Sequence, residues 1–434
     1  MRLRTTLLGL IALPLFAGVS AASAAAASAS ASAGVTVITG GHLLDVATGK
    51  WIDHPAVFVE KGRVTSIADA RTVKWGKDVR HVDLGNRYLL PGLIDMHVHL
   101  TSLAEVGGYQ DLRYTDSFWS VVGVANAAKT LNAGFTTVRN VGAADFADVG
   151  LRQAIDGGWI PGPRVVAAGW AIGATGGHCD DNRLPPSMDR PNPSVVNGVD
   201  EARARVRWLH KYGARVIKIC ATGGVFSLGD SVGGQQLTFE EMKAIADEAH
   251  MLHLRVAAHA HGDEGIRTAI LAGIDTIEHG SLASDETLRL AVERGTWFSM
   301  DVYNDDYILA TGTANGTEQE SLDKERAIGL KQRQTFQRGV RAGVKMVFGS
   351  DAGVYPHGDN GRQFAKMTEW GMTPLQAIQA ATLEAARALG REDDVGAVAV
   401  GRYADLIAVD GDPLANIREL ESVDAVVKGG EQVR

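Results

Sequence analysis

The sequence predicts a (β/α)8 barrel that carries a small β-sandwich built from both chain ends. Three observations carry this. Over residues 91–394, eight strand-like runs can be counted, most of them separated by helical ones. The flanking segments, 35–90 and 395–434, read as short alternating strands with glycine turns. Neither flank is long enough to make a stable sheet alone, so the economical solution pairs them. Finally, the polar residues that interrupt the apolar runs fall at strand C-terminal ends, where such barrels gather their chemistry.

The chain opens with MRLRTTLLGLIALPLFAGVSAASA, in which Arg2 and Arg4 precede an apolar run from Leu7 to Val19 and then small residues. That is the layout of a secretory signal peptide over 1–24, with a second cleavage point after Ala21. An Ala/Ser-rich flexible leader follows over 25–34. The expected location is periplasmic or secreted. The apolar run is too short to span a bilayer comfortably.

The strands VTVITGGHLLD, AVFVEKGRVTSIA and VRHVDLGNRYLLPG form the N-terminal part of the sandwich, and GRYADLIAVDGDPL and VDAVVKGG the C-terminal part. The barrel strands are LIDMHVHL, FTTVRNVG, RVVAAGWAI, RVIKICATGG, RVAAHAHG, DTIEHG, WFSMDVY and KMVFGSDAG. FEEMKAIADEAHMLH (239–253) and SDETLRLAVERG (284–295) are examples of the intervening helices. The 434 residues are 45% apolar and 22% charged with a net charge of −8, an ordinary globular balance that points away from nucleic acid and anionic membranes. Cys179 and Cys220 are the only cysteines and read as two reduced thiols, since two do not make a disulfide framework.

His97 and His99 share one strand face, because side chains alternate with a period of two. Lys218 sits among Val216, Ile217 and Ile219, where a free ammonium is costly. His259 and His261 end the fifth strand, His279 the sixth and Asp351 the eighth. Each has an ordinary structural explanation alone: a core histidine, a snorkelling lysine, a helix-capping aspartate. Gathered at one end of one barrel, they suit zinc or a similar divalent ion.

HVH at 97–99, Lys218, the strand-five histidine, His279 and SDAG at 350–353 resemble the binuclear metal set of the amidohydrolase superfamily. The LLPGLIDMHVHL opening and the GRYADLIAVDGDP return extend the likeness over nearly the whole chain. The resemblance implies two divalent metal ions, zinc first. His97, His99 and Asp351 hold one, His259 and His279 the other, and Lys218 bridges both as a CO2-derived carbamate. The carbamate answers the lysine puzzle, because it makes the residue an anionic ligand. Asp351 then accepts a proton from water and hands it to the leaving amine. His259 is taken as the strand-five ligand and His261 as a contact to substrate or oxyanion, with the reverse order left open.

Three further residues are expected at the substrate. His178 lies in the rim loop ATGGHCDDN, Arg139 ends strand two and suits a substrate carboxylate, and Tyr303 lies near the end of strand seven. GGHCD and VAAHAHG look most like the prolidase-like, Xaa-Pro dipeptidase-like branch, and are similar to bacterial amidohydrolases that degrade ochratoxin A. The implied reaction is metal-dependent hydrolysis of an amide to a C-terminal amino acid. Alternatives are a lactonase or phosphotriesterase, a cyclic-amide hydrolase of the imidazolonepropionase type, and a metal-binding protein without catalysis. The expected partners are a small-molecule or dipeptide-like substrate and further copies of the chain in a homo-oligomer. Nucleic acid is not expected, nor a membrane once the leader is removed.

Overall fold

A computed structural model describes residues 34–188 and 192–434. The signal peptide and almost all of the expected leader lie outside the described residues. The chain begins with seven short strands: β1 (Thr36–Thr39), β2 (His42–Asp45), β3 (Lys50–Asp53), β4 (Pro55–Glu60), β5 (Arg63–Asp69), β6 (Arg80–Asp83) and β7 (Tyr88–Pro91). Gly40 and Gly41 divide the first apolar run into β1 and β2. A Cβ on Gly40 would stand 2.6 Å from the Leu89 side chain, so only glycine lets the chain turn there.

Eight strands then alternate with helices. They are β8 (Leu93–Val98), β9 (Phe135–Asn140), β10 (Arg164–Ala167), β11 (Val216–Cys220), β12 (Arg255–Ala260), β13 (Thr276–His279), β14 (Trp297–Ser299) and β15 (Lys345–Val347). Each falls within a segment read as a barrel strand. The helices among them are α1 (Asp116–Asn132), α2 (Ala147–Asp156), α3 (Val199–Lys211), α4 (Phe239–Met251), α5 (Asp263–Ala272), α6 (Asp285–Arg294), α7 (Asn304–Thr311) and α8 (Gln319–Ala342). Helix α4 starts on a capping box, with Thr238 and Glu241 satisfying each other's backbone N–H groups. It stops two residues short of the sequence reading, where His253 turns left-handed at φ 58°.

The barrel strands pair in parallel as β8–β9–β10 and β11–β12–β13–β14–β15. Two seams join these sheets. Ile172 bridges to Ile219 with Ile172 N donating to Lys218 O at 2.8 Å, and Val98 bridges to Ala352 with Asp351 N donating to His97 O at 2.7 Å. The ring is therefore closed, as a (β/α)8 barrel requires.

The C-terminal strands β16 (Leu406–Val409), β17 (Ala425–Lys428) and β18 (Glu431–Gln432) continue the sheet begun at the other end. Strand β16 lies antiparallel between β7 and β17, giving the order β18–β17–β16–β7–β2–β3 against a second sheet, β5–β4–β1–β6. Ile38, Val57, Leu89, Leu406 and Val427 fill the space between the sheets. Burial of such side chains supplies about 1.5–3 kcal/mol each, which neither chain end could collect alone. The sandwich is tied to the barrel by an Arg164–Asp405 ion pair, and Arg63 and Arg164 lie over the Tyr403 ring at 4.1 and 3.9 Å. No helix among the described residues is long and apolar enough to cross a membrane.

Candidate metal and substrate site

Strand C-terminal ends bring the expected ligands together. The ligand atoms of His97, His99 and Asp351 lie within 4.8 Å of one another, as do those of His259, His261 and His279, and those of His279, Asp301 and Asp351. The groups share Asp351 and His279, so they adjoin. His279 and Asp351 both have positive φ, 69° and 59°, a strained backbone for residues other than glycine. Gly353 allows the loop after β15 to press on β8, since a Cβ there would stand 2.8 Å from His99 Cβ.

Hydrogen bonds aim the imidazoles. His97 Nδ1 lies 2.9 Å from Glu278 Oε2, and His279 Nδ1 lies 2.8 Å from Asp301 Oδ1. A carboxylate only accepts, so both rings carry their proton on Nδ1 and present a lone pair from Nε2. His97 Nε2 and His99 Nε2 stand 3.3 and 3.2 Å from Asp351 Oδ1, which has no hydrogen-bond partner despite its burial. Asn304 Nδ2 holds the other oxygen, Oδ2, at 3.0 Å and also reaches Asp301 Oδ2 at 2.6 Å. His259 makes no side-chain hydrogen bond among the described residues, and its Nε2 is a buried orphan. Lone pairs converging without protons between them are what a cation satisfies, so these residues fit divalent metal ions.

Lys218 is 4% exposed and lies within the cluster, where its charge bears on His97, His259 and His261. Its ammonium makes no hydrogen bond or ion pair among the described residues. Burial pushes its pKa down to about 8. Burial, then Lys218, lowers His97 to about 4, and burial holds His259 and His261 well below the usual range. His97 and His259 are thus neutral, as metal binding needs, whereas at His279 burial is outweighed by the Asp301 carboxylate, which raises that ring. Burial would raise the Asp351 carboxyl, but the His97 and His99 imidazoles hold it below the ordinary range.

His178 is part-buried above this cluster. Its ring stacks on His259 with centroids 3.9 Å apart, and Nδ1 lies 2.9 Å from Ser227 Oγ. A Cβ on Gly224 would stand 2.4 Å from His178 Cε1 and 2.7 Å from His259 Nε2, so glycine there makes room for the pair. His261 is buried, with Nδ1 2.8 Å from Ser281 Oγ and its ring stacked on His279. Tyr303 is part-buried, edge-on to Tyr355, with its hydroxyl 3.4 Å from Arg362 Nη1.

Two expectations are corrected. Arg139 does not face a substrate: it is 1% exposed and bonds to Met96 O, Thr276 Oγ1 and Glu278 Oε1 at 2.6, 2.7 and 2.7 Å. Its side chain runs down to the start of β13, where it forms the ion pair that steadies Glu278. Burial would raise the Glu278 carboxyl, yet Arg139 and the bond from His97 keep it well below its usual value. Cys179 and Cys220 are not free thiols but a disulfide, with Cα atoms 5.8 Å apart. It fastens the His178 loop to the strand that bears Lys218.

The supporting residues Glu278, Asp301, Asn304, Ser281 and Ser227 went unmarked in the sequence reading. The acids carried a signal, because Glu278 interrupts DTIEHG and Asp301 interrupts WFSMDVY just as the ligands interrupt theirs.

A closed barrel with histidines and carboxylates gathered at its strand C-terminal ends has a candidate metal site where such barrels place their chemistry. The chain belongs to the amidohydrolase family, which it matches over residues 88–433. Aspergillus niger ochratoxinase is 33% identical over 375 residues, covering 79% of this chain and 75% of that one. The structure of a Xaa-Pro dipeptidase with methionine bound in its active site superposes with a TM-score of 0.88 at 36% identity, covering 92% of this chain and all of the other. A prolidase complexed with N-methylphosphonate-L-proline gives a TM-score of 0.85 at 31% identity, over 92% and 99% of the two chains. The protein is a hydrolase acting on amide or peptide bonds.

Proposed function

We propose that this is an exported amidase with two metal ions that releases a C-terminal amino acid from an acyl group, in the manner of a dipeptidase or carboxypeptidase. Cleavage of ochratoxin A to ochratoxin alpha and phenylalanine falls within that description. The observation that carries the proposal is the set of proton-free ligand atoms around Lys218, with Asp351 Oδ1 and His259 Nε2 buried and unpartnered. The relatives support the substrate class, since the dipeptidase holds methionine and the prolidase a proline derivative.

His97, His99 and Asp351 would hold one ion and His259 and His279 the other, with Lys218 between them as a carbamate. A lysine lowered to about 8 is partly neutral near physiological pH, and the neutral amine is the form whose lone pair attacks CO2. When bound, two divalent ions, zinc first, supply Lewis-acid activation of water and of the scissile carbonyl. Asp351 takes the water proton and delivers it to the departing nitrogen. His261 Nδ1 lies 2.8 Å from Ser281 Oγ, and with the serine donating, Nε2–H would face the developing oxyanion. His178 and Tyr303 would complete the substrate contacts, and Arg362, whose Nη1 lies 3.4 Å from the Tyr303 hydroxyl and which also pairs with Asp359, would be the candidate for the carboxylate role that Arg139 does not fill.

His259→Ala should lower metal stoichiometry, whereas His261→Ala should keep the metal and lose rate by about 10²–10³. The reverse pattern in metal analysis exchanges the two roles. The substrate class is tested by kcat/KM for an N-acyl-phenylalanine beside its C-terminal amide. The acid should win by roughly 10² or more, as expected when a charged pair of about 3 kcal/mol is lost. Equal values, or faster turnover of a lactone or phosphotriester, would remove this reading.

A further inference from the structure

His97 and His279 are each aimed by a carboxylate at Nδ1, but His99 has no such partner. Its side chain is 28% exposed, and its Nδ1 makes no hydrogen bond among the described residues. The hold on His99 comes through its backbone instead. His99 N donates to Ala352 O at 2.8 Å, and His99 O accepts from Ser102 N and from His357 Nε2, both at 3.0 Å. A carbonyl only accepts, so His357 carries a proton on Nε2. The two peptide groups that flank the His99 Cα are thus both fixed, and together they set the direction of its Cα–Cβ bond. Gly353 presses on the same residue, since a Cβ there would stand 2.8 Å from His99 Cβ and 2.9 Å from His99 O.

Ala352, Gly353 and His357 belong to one segment, the loop after β15 that also carries Asp351. This segment supplies one expected ligand and grips another. His357 is itself built into place. It is buried, and its Nδ1 lies 3.0 Å from Thr130 Oγ1, which ties the ring to α1. Gly358, at φ 102°, makes the turn that follows. Asn360 then donates to Asp95 Oδ2 at 2.9 Å, while Asp95 Oδ1 accepts from His97 N at 3.1 Å. The segment therefore reaches the backbone of both histidines at the end of β8.

We propose that His357 is a positioning residue for the ion held by His97, His99 and Asp351, clasping the His99 carbonyl so that the imidazole and the Asp351 carboxylate converge on one point. It touches neither metal nor substrate. The inference rests on the two-ion reading. His259 and His279 lie outside the clasp, so the two ions should differ in their dependence on His357. Partners that orient metal ligands typically carry about 10–100-fold in metal affinity.

The test compares the wild type with His357→Phe, which keeps a ring but cannot donate, and with His357→Gln, which returns an N–H at a similar reach. Chelator competition measures the zinc affinities, and anomalous diffraction at limiting zinc reports the occupancy of each site. In His357→Phe one of the two ions should bind about 10–100-fold more weakly. Occupancy should be lost at His97, His99 and Asp351 and kept at His259 and His279. His357→Gln should regain most of the wild-type affinity. Should His357→Phe not fold, Thr130→Val, which keeps His357 but frees its ring, should weaken the same site. Two ions in the wild type, with both affinities unchanged or equally weakened in His357→Phe, or with His357→Gln as weak as His357→Phe, would overturn the clasp alone. A wild type without an ion at His97, His99 and Asp351 would overturn the clasp and the two-ion reading together.

Discussion

Glu278 and Asp230 each bond toward a site histidine, Glu278 directly to His97 at 2.9 Å and Asp230 through Ser227, whose Oγ lies 2.8 Å from both Asp230 oxygens and 2.9 Å from His178 Nδ1, but they are held by different means. Glu278 is wholly buried on β13 and is clamped by Arg139 from β9, so both partners belong to strands of the closed barrel. Asp230 lies on a loop with its side chain 11% exposed, and its clamp, Lys324, comes from a helix. Strand pairing fixes the floor of the site without further help. The rim is paired only by the isolated Thr222–Gln235 bridge and a few backbone hydrogen bonds, so the Cys179–Cys220 disulfide and the bonds joining Ser227, Asp230 and Lys324 add to its hold. The difference teaches that ligand geometry and substrate recognition should fail separately.

The largest expected effect lies in the floor. Glu278→Gln leaves the Arg139 guanidinium buried without its counter-charge, and removing one partner of a buried pair costs about 3–5 kcal/mol. Urea unfolding should show that loss together with weaker metal retention, because His97 loses its acceptor. A change below about 1 kcal/mol would mean that the pair does not organise the floor.

Replacing Cys179 and Cys220 with serine should cost about 2–4 kcal/mol, for a bridge spanning 41 residues. Metal content should hold while kcat/KM falls, because only the His178 loop is released. Loss of metal in that variant would erase the distinction between floor and rim.

A smaller, pH-dependent effect is expected behind the site. Burial, reinforced by the Asp305 carboxylate, pushes Glu325 on α8 up to about 8. Its folded pKa lies above its unfolded value near 4.5, so between those pH values the folded state binds more protons. The carboxyl therefore costs stability progressively as pH rises through that window. Glu325→Gln should match the wild type near pH 4 and exceed it by about 1–3 kcal/mol near pH 9. An equal gap at both pH values would contradict the assignment.

Much of this organisation is legible in the sequence because it repeats. Alternation of strand and helix marks the barrel, and polar residues ending apolar runs mark His97, His99, Lys218, His259, His279 and Asp351. Arg139 shows where such reading stops. Strand alternation gives the face of a side chain but not its reach, and a long guanidinium on an inward face can run down to Thr276 as easily as up to the rim. The disulfide joins positions 41 residues apart, a proximity that only the closed fold reveals. Ser227 and Asp230 lie in a loop without periodicity, where residue type alone does not say which neighbour is held.

The central claim is that Lys218 is an anionic ligand shared by two ions and not a buried cation. The direct test is metal stoichiometry of purified wild type and Lys218→Ala by mass spectrometry, with addition of a small carboxylic acid to the variant. The account predicts two divalent ions per wild-type chain, loss of metal and of nearly all activity in the variant, and partial recovery with the acid. A Lys218→Ala protein that keeps wild-type metal content and turnover would contradict it.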